Sequence, residues 1–411
     1  MSESRFRVEV FHGAAGLDAL AERWRILFDA LERPSYVQLW EWHRSFVDAL
    51  APDPGAVYFG VLYDGDEVVA IVPLVFTRER ILGLPVHVAA LPRHEHVRHG
   101  DILVHPRIVA GFDLVRVLGD LRARVGRPWD LTRLGPALDD ATAAAVVRAL
   151  GPTALHVSEP DGVSDALEAG PYQAVMDRLS KNFRGALRKA RNKLARRQGV
   201  TVTWARTPED IEAAFPRFLE VEASGWKGTA GAGTAIELDP ALRGFYGGLA
   251  RRLAASGRGR INLMMDGDRV MAGQFGVMAG ERYFLLKIGY DESYRQEAPG
   301  NLLLERLLQE IAGDAAIRYV DLVSDAAWHQ SWKPVQRQVH VHCVFQRTPA
   351  GVAAFAALRG KQLLRPTVRA FRQRARELAA RLRPDRASAD NPDSASAPAR
   401  PDRASAAPAP E

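Results

Sequence analysis

The chain has 411 residues, 47% of them hydrophobic and 25% charged, an ordinary globular composition with length enough for two domains with separate cores. No stretch approaches the roughly 20 apolar residues that cross a bilayer, and the opening MSESRFRVEV lacks the apolar core of a secretion signal, so the expected location is the cytoplasm. The single cysteine, Cys343, excludes an internal disulfide framework and cannot by itself build a thiolate zinc site.

In chain order, a helical section from Gly16 to Leu31 leads to VYFGVLYDGDEVVAIVPLVF at 57–76, two apolar runs joined by Asp-Gly-Asp. Asp-Gly supplies the positive φ angles of a tight turn, so this reads as a β-hairpin. HEHVRHGD follows, placing His94, His96, His99 and Asp101 close together. The spacing fits no standard closed zinc site, so no metal is expected, and contact of His96 and His99 with a substrate is preferred. DILVHPRIVAGFDLVRVLGDLRARV then reads as strand, short loop and helix.

Between 181 and 197 lie eight Lys or Arg and no acid, with Phe183, Leu187, Ala190 and Leu194 at helical spacing. That is an amphipathic helix with one buried stripe and one strongly positive face. Such a face suits tRNA or an anionic membrane, or simply bridges two domains in solvent. Much of the net charge of +6 is held here and in a second basic run, 359–386. After a helical section from Pro208 to Glu222 comes INLMMDGDRVMAGQFGVM at 261–278, the same hairpin pattern again, with Asp266 standing 202 positions after Asp64. A repeat at half the chain length implies two equivalent domains.

RYFLLKIGYD (282–291) is the next strand, SYRQEAPG a loop, and NLLLERLLQEIAG a helix starting near Asn301 and ending at Gly313. A strand, a Pro-Gly loop and a helix start together aim backbone N–H groups at a pyrophosphate. Pro299 pre-sets the first turn, and Gly300 lets a phosphate approach; a plain structural helix start explains the same residues. Strands over 319–324 and 339–347 complete the second sheet; Cys343 lies in the alternating run VHVHCVFQR and reads as a core thiol. The tail RASADNPDSASAPARPDRASAAPAPE has almost nothing to bury, and disorder is expected.

EASGWKGTAGAGTA (222–235), KIGYDESYRQEAPGNLLLERLL (287–308) and VDLVSDAAWHQSW (320–332) together resemble the BioF-like, CelD-type GNAT acyltransferases, relatives of the Fem peptidyltransferases. The resemblance covers about residues 30–350. It implies an α/β (α+β) chain of two tandem GNAT-like domains, each a mixed sheet flanked by helices. The expected divisions are 1–165, an acceptor-side domain with a degenerate cofactor site; 166–365, the acyl-CoA domain; and 366–411, a basic helix and tail. Acyl transfer from a CoA thioester, acetyl-CoA above all, to an amine or hydroxyl is implied. So are a small-molecule or saccharide acceptor, a setting in cellulose or exopolysaccharide production, and peripheral contact with a polysaccharide synthase. Nucleic acid is not the expected partner.

Carried over residue by residue, Pro299, Gly300 and Asn301 match the cofactor loop, with Ile288 on the strand before it and Tyr290 and Asp291 at that strand's acidic end. Glu222, Trp226, Lys227 and Gly228 match a Glu-x-x-Gly-Trp-Lys-Gly segment, and Asp325 and Trp332 fall in the last motif. There, His329 departs from the lysine more usual in relatives. Direct transfer needs a base for the acceptor and a group for the departing thiolate. Glu222, Asp325 and then Asp291 are the candidate bases, and Tyr290 is the candidate partner of the thiolate. Each carboxylate serves equally as a helix or turn cap. Trp226 and Trp332 suit stacking on an acceptor or burial in a core, and Lys227 suits an acidic group or a phosphate. Two rival readings remain: a Fem-like transferase taking its donor from aminoacyl-tRNA, with the basic helix as the tRNA grip, and a non-catalytic scaffold in a polysaccharide-synthesis complex.

Overall fold

A computed structural model describes residues 6–96, 99–225, 227–228 and 231–364. In the first half, β1 (Arg7–His12), β2 (Val57–Asp64), β3 (Glu67–Ile81) and β4 (Leu84–Ala90) form an antiparallel ladder; short β5 (Leu103–Val104) pairs with β3, and β6 (Leu131–Leu138) lies parallel to β4. After β7 (His156–Glu168) the plan repeats. β8 (Val200–Ala205), β9 (Gly259–Asp266), β10 (Arg269–Ala279) and β11 (Arg282–Tyr290) are antiparallel, β12 (Tyr319–Asp321) is parallel to β11, and β13 (Val335–Phe345) follows.

Both expected hairpins are present. Each turns on a glycine with positive φ, Gly65 at 63° and Gly267 at 58°, which a side chain would strain. The likeness runs deeper than the turns. One residue is left over in each ladder just beyond the turn, Val69 in β3 and Met271 in β10, so the β-bulges share the 202-residue spacing of the Asp-Gly pairs.

All strands join one sheet in the order β1-β2-β3-β4-β6-β13-β7-β12-β11-β10-β9-β8. Its centre holds an exchange. β13, last strand of the second half, pairs with β6 of the first, while β7, last strand of the first, pairs with β12 of the second; β7 and β13 pair with each other. The expected division at 165/166 therefore falls inside β7.

On one face, helices Gly13–Ala19, Ala21–Asp29 and Trp40–Ala49 share an apolar core with Pro208–Ser224 and Pro240–Ala255. Trp24, Trp42, Phe218, Phe245, Phe275 and Phe284 are buried in it, each contributing at most about 3 kcal/mol by removal from water. The opposite face of the second half carries Tyr172–Arg178, the basic helix Lys181–Leu194 and Pro299–Ile311. Contacts join everything through Arg359 into one compact unit; of a second, from Gly360, only the helical residues 360–364 are described. The basic helix and tail expected over 366–411 lie outside the described residues.

Cys343 is buried, and burial pushes its thiol up to about 11, which suits a core thiol and not a nucleophile. No described helix is long and apolar enough to cross a membrane.

Candidate active site

The ladder between β11 and β12 lasts only from Arg282–Phe284 against Tyr319–Asp321. Beyond it β11 stays paired to β10 as far as Tyr290, while the chain after β12 turns away at Val323, whose φ is 58°. A β-branched residue with positive φ is strained, and the turn ends the strand three residues before the expected 324. Leu286 is left over between Leu285 and Lys287 in the pairing with β10, a bulge that bends β11. Parting strands and a bent edge leave an opening flanked by Leu285–Tyr290 and by the segment after β12.

At its mouth stands the helix Pro299–Ile311. Its N-cap, Ala298, is held left-handed at φ 47°, and Pro299 is the first helical residue, two before the expected Asn301. The first-turn N–H groups of Gly300 and Asn301 have no partner within the helix. A Cβ on Gly300 would meet nothing nearer than Tyr290 Cδ1 at 3.8 Å, so its surroundings are open. Leu302, Leu303, Leu304, Leu307, Leu308 and Ile311 are buried and fix this helix to the sheet. Trp332 Nε1 donates to Asn301 Oδ1 at 3.1 Å, and the Phe183 ring packs edge-on against Trp332. Trp332 is buried, so its indole holds the helix start in place. Ala298 and Val323 are two of the four described non-glycine residues with positive φ, one at the start of this helix and one where the chain leaves β12. Such strain persists where surrounding structure enforces it, commonly at ligand sites.

On the other face of the sheet polar groups from the two halves meet. Lys287 Nζ is 3.4 Å from His96 Nδ1 and 5.5 Å from the centre of the Tyr246 ring, and Tyr246 Oη reaches the His96 carbonyl at 3.5 Å. Burial, then Lys287 and His94, lower His96 to about 4, so its ring is neutral at neutral pH. His99 is buried, and the Asp101 carboxylate accepts from Thr142 N at 3.0 Å and Ala143 N at 2.7 Å, capping helix Thr142–Arg148. Among the described residues no three His, Cys, Asp or Glu side chains converge to hold a metal ion.

The candidate carboxylates sit differently from one another. Asp291 caps the turn Glu292–Glu297, and although burial pushes its carboxyl up, Ser293 and Arg269 hold it below the usual value. Asp325 is exposed on the segment after β12. Glu222 is buried: Oε1 accepts from Lys227 Nζ at 3.1 Å and Oε2 from Ile236 N at 3.0 Å. Lys227 Nζ also donates to the Ile288 carbonyl at 2.8 Å, so that carbonyl is already engaged. Helix Pro208–Ser224 can come this close because residue 289 is glycine; a Cβ there would lie 2.6 Å from Glu222 Cα. Trp226 lies outside the described residues.

Residues 181–334, which hold the opening and its helix, match the acetyltransferase (GNAT) domain family. That segment is a GNAT domain. Among solved structures the chain is similar to FemX, at 11% identity over 81% of this chain and 96% of that one, with a TM-score of 0.52. It is also similar to the C-terminal domain of a protein described as lysylphosphatidylglycerol synthetase from Agrobacterium fabrum, at 10% identity over 85% and 97%, with a TM-score of 0.50. At these identities the likeness is one of fold. Among curated proteins nothing matches the chain.

The GNAT domain thus gathers Pro299, Gly300, Asn301 and Tyr290 at the opening, and Glu222, Lys227 and Ile288 beside it, while His96 reaches Lys287 from the other half. Sequence reasoning missed Lys287, because alternation assigns it no face until the Leu286 bulge is known. It also missed Asp165, which nothing local marks. With both oxygens of Glu222 engaged, Glu222→Gln should lower the melting temperature, through loss of the charge facing Lys227, and slow acyl transfer only modestly. A 10²–10⁴-fold rate loss at unchanged melting temperature would make Glu222 the base instead.

Proposed function

We propose that the chain is an acyl-CoA-dependent N- or O-acyltransferase that takes acetyl-CoA as donor substrate and a small-molecule or saccharide acceptor. The opening beside β11, with the start of helix Pro299–Ile311 at its mouth, carries this reading. First-turn N–H groups and the helix dipole suit a pyrophosphate, and the opening leads a thioester towards the polar groups of His96, Lys287 and Tyr246. In the first half the matching edge is occupied by the chain: Leu91 N and Gly100 N donate to the carbonyls of Arg133 and Pro136 on β6. That supports a single cofactor site, with the first half shaping the acceptor side. A cytoplasmic role in cellulose or exopolysaccharide production, at the surface of a polysaccharide synthase, is the setting we infer.

Calorimetry with acetyl-CoA tests the reading. Gly300→Val should weaken binding at least tenfold while leaving the melting temperature nearly unchanged, because the added methyls crowd a phosphate and not the protein. Unchanged affinity in the folded variant would overturn the site.

One observation favours a Fem-like, aminoacyl-tRNA-dependent alternative: Lys181, Arg188, Lys189 and Arg196 are exposed on the basic segment. Against it, Arg191 pairs with Glu305, and Arg197 with Asp266 and Glu297, so part of that charge serves internal packing. tRNA binding that weakens steeply with salt, without acetyl-CoA binding, would select this alternative. Acetyl-CoA binding without turnover of any acceptor would select the scaffold.

A further inference from the structure

His329 and Asp165 are 164 residues apart in sequence, yet His329 Nδ1 lies 2.9 Å from Asp165 Oδ2. The strand exchange brings them together, since Asp165 belongs to β7 and His329 to the turn Ala327–Trp332 that flanks the opening. Asp165 is wholly inaccessible, and the imidazole is 3% exposed. Gln330 Nε2 and Gln336 Nε2 also approach the carboxylate, each at 3.3 Å, so the acceptor of the His329 proton is held from several sides. Three residues on, Trp332 is bonded to Asn301 at the cofactor helix. A buried carboxylate fixing one ring nitrogen sets the tautomer and leaves the other nitrogen for proton transfer.

We infer that His329, oriented by Asp165, carries the proton in acyl transfer. This rests on the acyl-CoA reading above. As the acceptor nitrogen or oxygen closes on the thioester carbonyl, its proton passes to His329 Nε2. When the tetrahedral adduct collapses, the C–S bond breaks and the imidazolium returns the proton to sulfur. The products are acylated acceptor and CoA thiol, and the histidine ends as it began. Asp165 from β7 and Asp325 from the preceding segment are the charged groups bearing on the ring. Burial lowers its pKa, the Asp165 and Ser324 hydrogen bonds and the Asp325 charge oppose, and the net displacement is downward from 6.5. The ring is therefore neutral, and able to accept a proton, at neutral pH.

The test is CoA release from acetyl-CoA across a panel of amines and hydroxylated sugars, with calorimetry of acetyl-CoA binding and thermal melts on the same samples. For His329→Gln, affinity and melting temperature should hold while kcat falls by roughly 10²–10⁴-fold. The acid limb of the wild-type pH profile, with its midpoint below 6.5, should vanish. Asp165→Asn should slow the reaction and move that limb to lower pH, because the charge supporting the imidazolium is gone. It decides the matter should His329→Gln melt below the assay temperature. A wild-type rate and limb in the variants overturns the inference and leaves the acyl-CoA reading standing, whereas bound acetyl-CoA with no release to any acceptor selects the scaffold and overturns both. A wild-type protein that binds no acetyl-CoA overturns both.

Discussion

Asp321→Ala should destabilise the protein by about 3–5 kcal/mol, the usual cost of stranding one side of a buried ion pair. Asp321 ends β12 with no exposure, pairs with Arg337 of β13, and lies 3.9 Å from Arg282 of β11. Asp140, from the first half, pairs with Arg282 and approaches Arg337 Nη1 at 3.6 Å, so two carboxylates and two guanidinium groups span the place where the halves meet. Burial pushes the Asp140 carboxyl up, but Arg282 and Arg337 outweigh it and hold its pKa below 3.8. A carboxyl depressed by folding adds stability that is fully present above its unfolded value and lost as pH falls through the folded one. Urea melts should therefore show wild-type stability declining below about pH 4. The double variant Asp321→Ala, Arg337→Met should recover part of the loss, since neither charge is then buried alone. Additive losses in that cycle would show that the two residues act separately.

Much of this architecture is legible in the sequence because it is local. Asp-Gly turns at Gly65 and Gly267 announce the hairpins, Pro299 announces its helix, and the stripe Phe183, Leu187, Ala190 and Leu194 announces the basic helix, with Leu187 and Ala190 buried as the spacing requires. What escapes is everything that depends on partners distant in the chain. Val335–Phe345 alternates as a strand whichever neighbour it takes, and His156–Glu168 carries the turn residues Pro160, Asp161 and Gly162 in its middle, so nothing within either tells that each crosses to the other half. The Asp165–His329 contact is hidden for the same reason. Glu222 shows the opposite failure: the residue is conspicuous beside Trp226, Lys227 and Gly228, but only coordinates reveal that Lys227 and Ile236 already hold its carboxylate.

The strand exchange also decides what happens when the chain is divided. Two autonomous domains would survive a cut between them, so fragments 1–170 and 171–365 would each be compact and cooperative. In this fold the first fragment would keep β7 but lose both its neighbours, β12 and β13, and would leave β6 without β13. The second would lose both partners of β13 and the β12 partner on the side of β7. Helix Pro240–Ala255 would also lose Trp40–Ala49, where Trp42 meets Phe245 edge-on and Arg252 pairs with Asp48. Bare central edges and a divided apolar core favour aggregation over folding. The expected result is that each fragment alone is insoluble or lacks a cooperative melt, whereas the two refolded together give one complex that elutes like the intact chain. Circular dichroism and size-exclusion chromatography decide it. A fragment 171–365 that melts cooperatively and binds acetyl-CoA by itself would show that the exchange is dispensable to the GNAT domain, and that Asp165 is not needed for its chemistry.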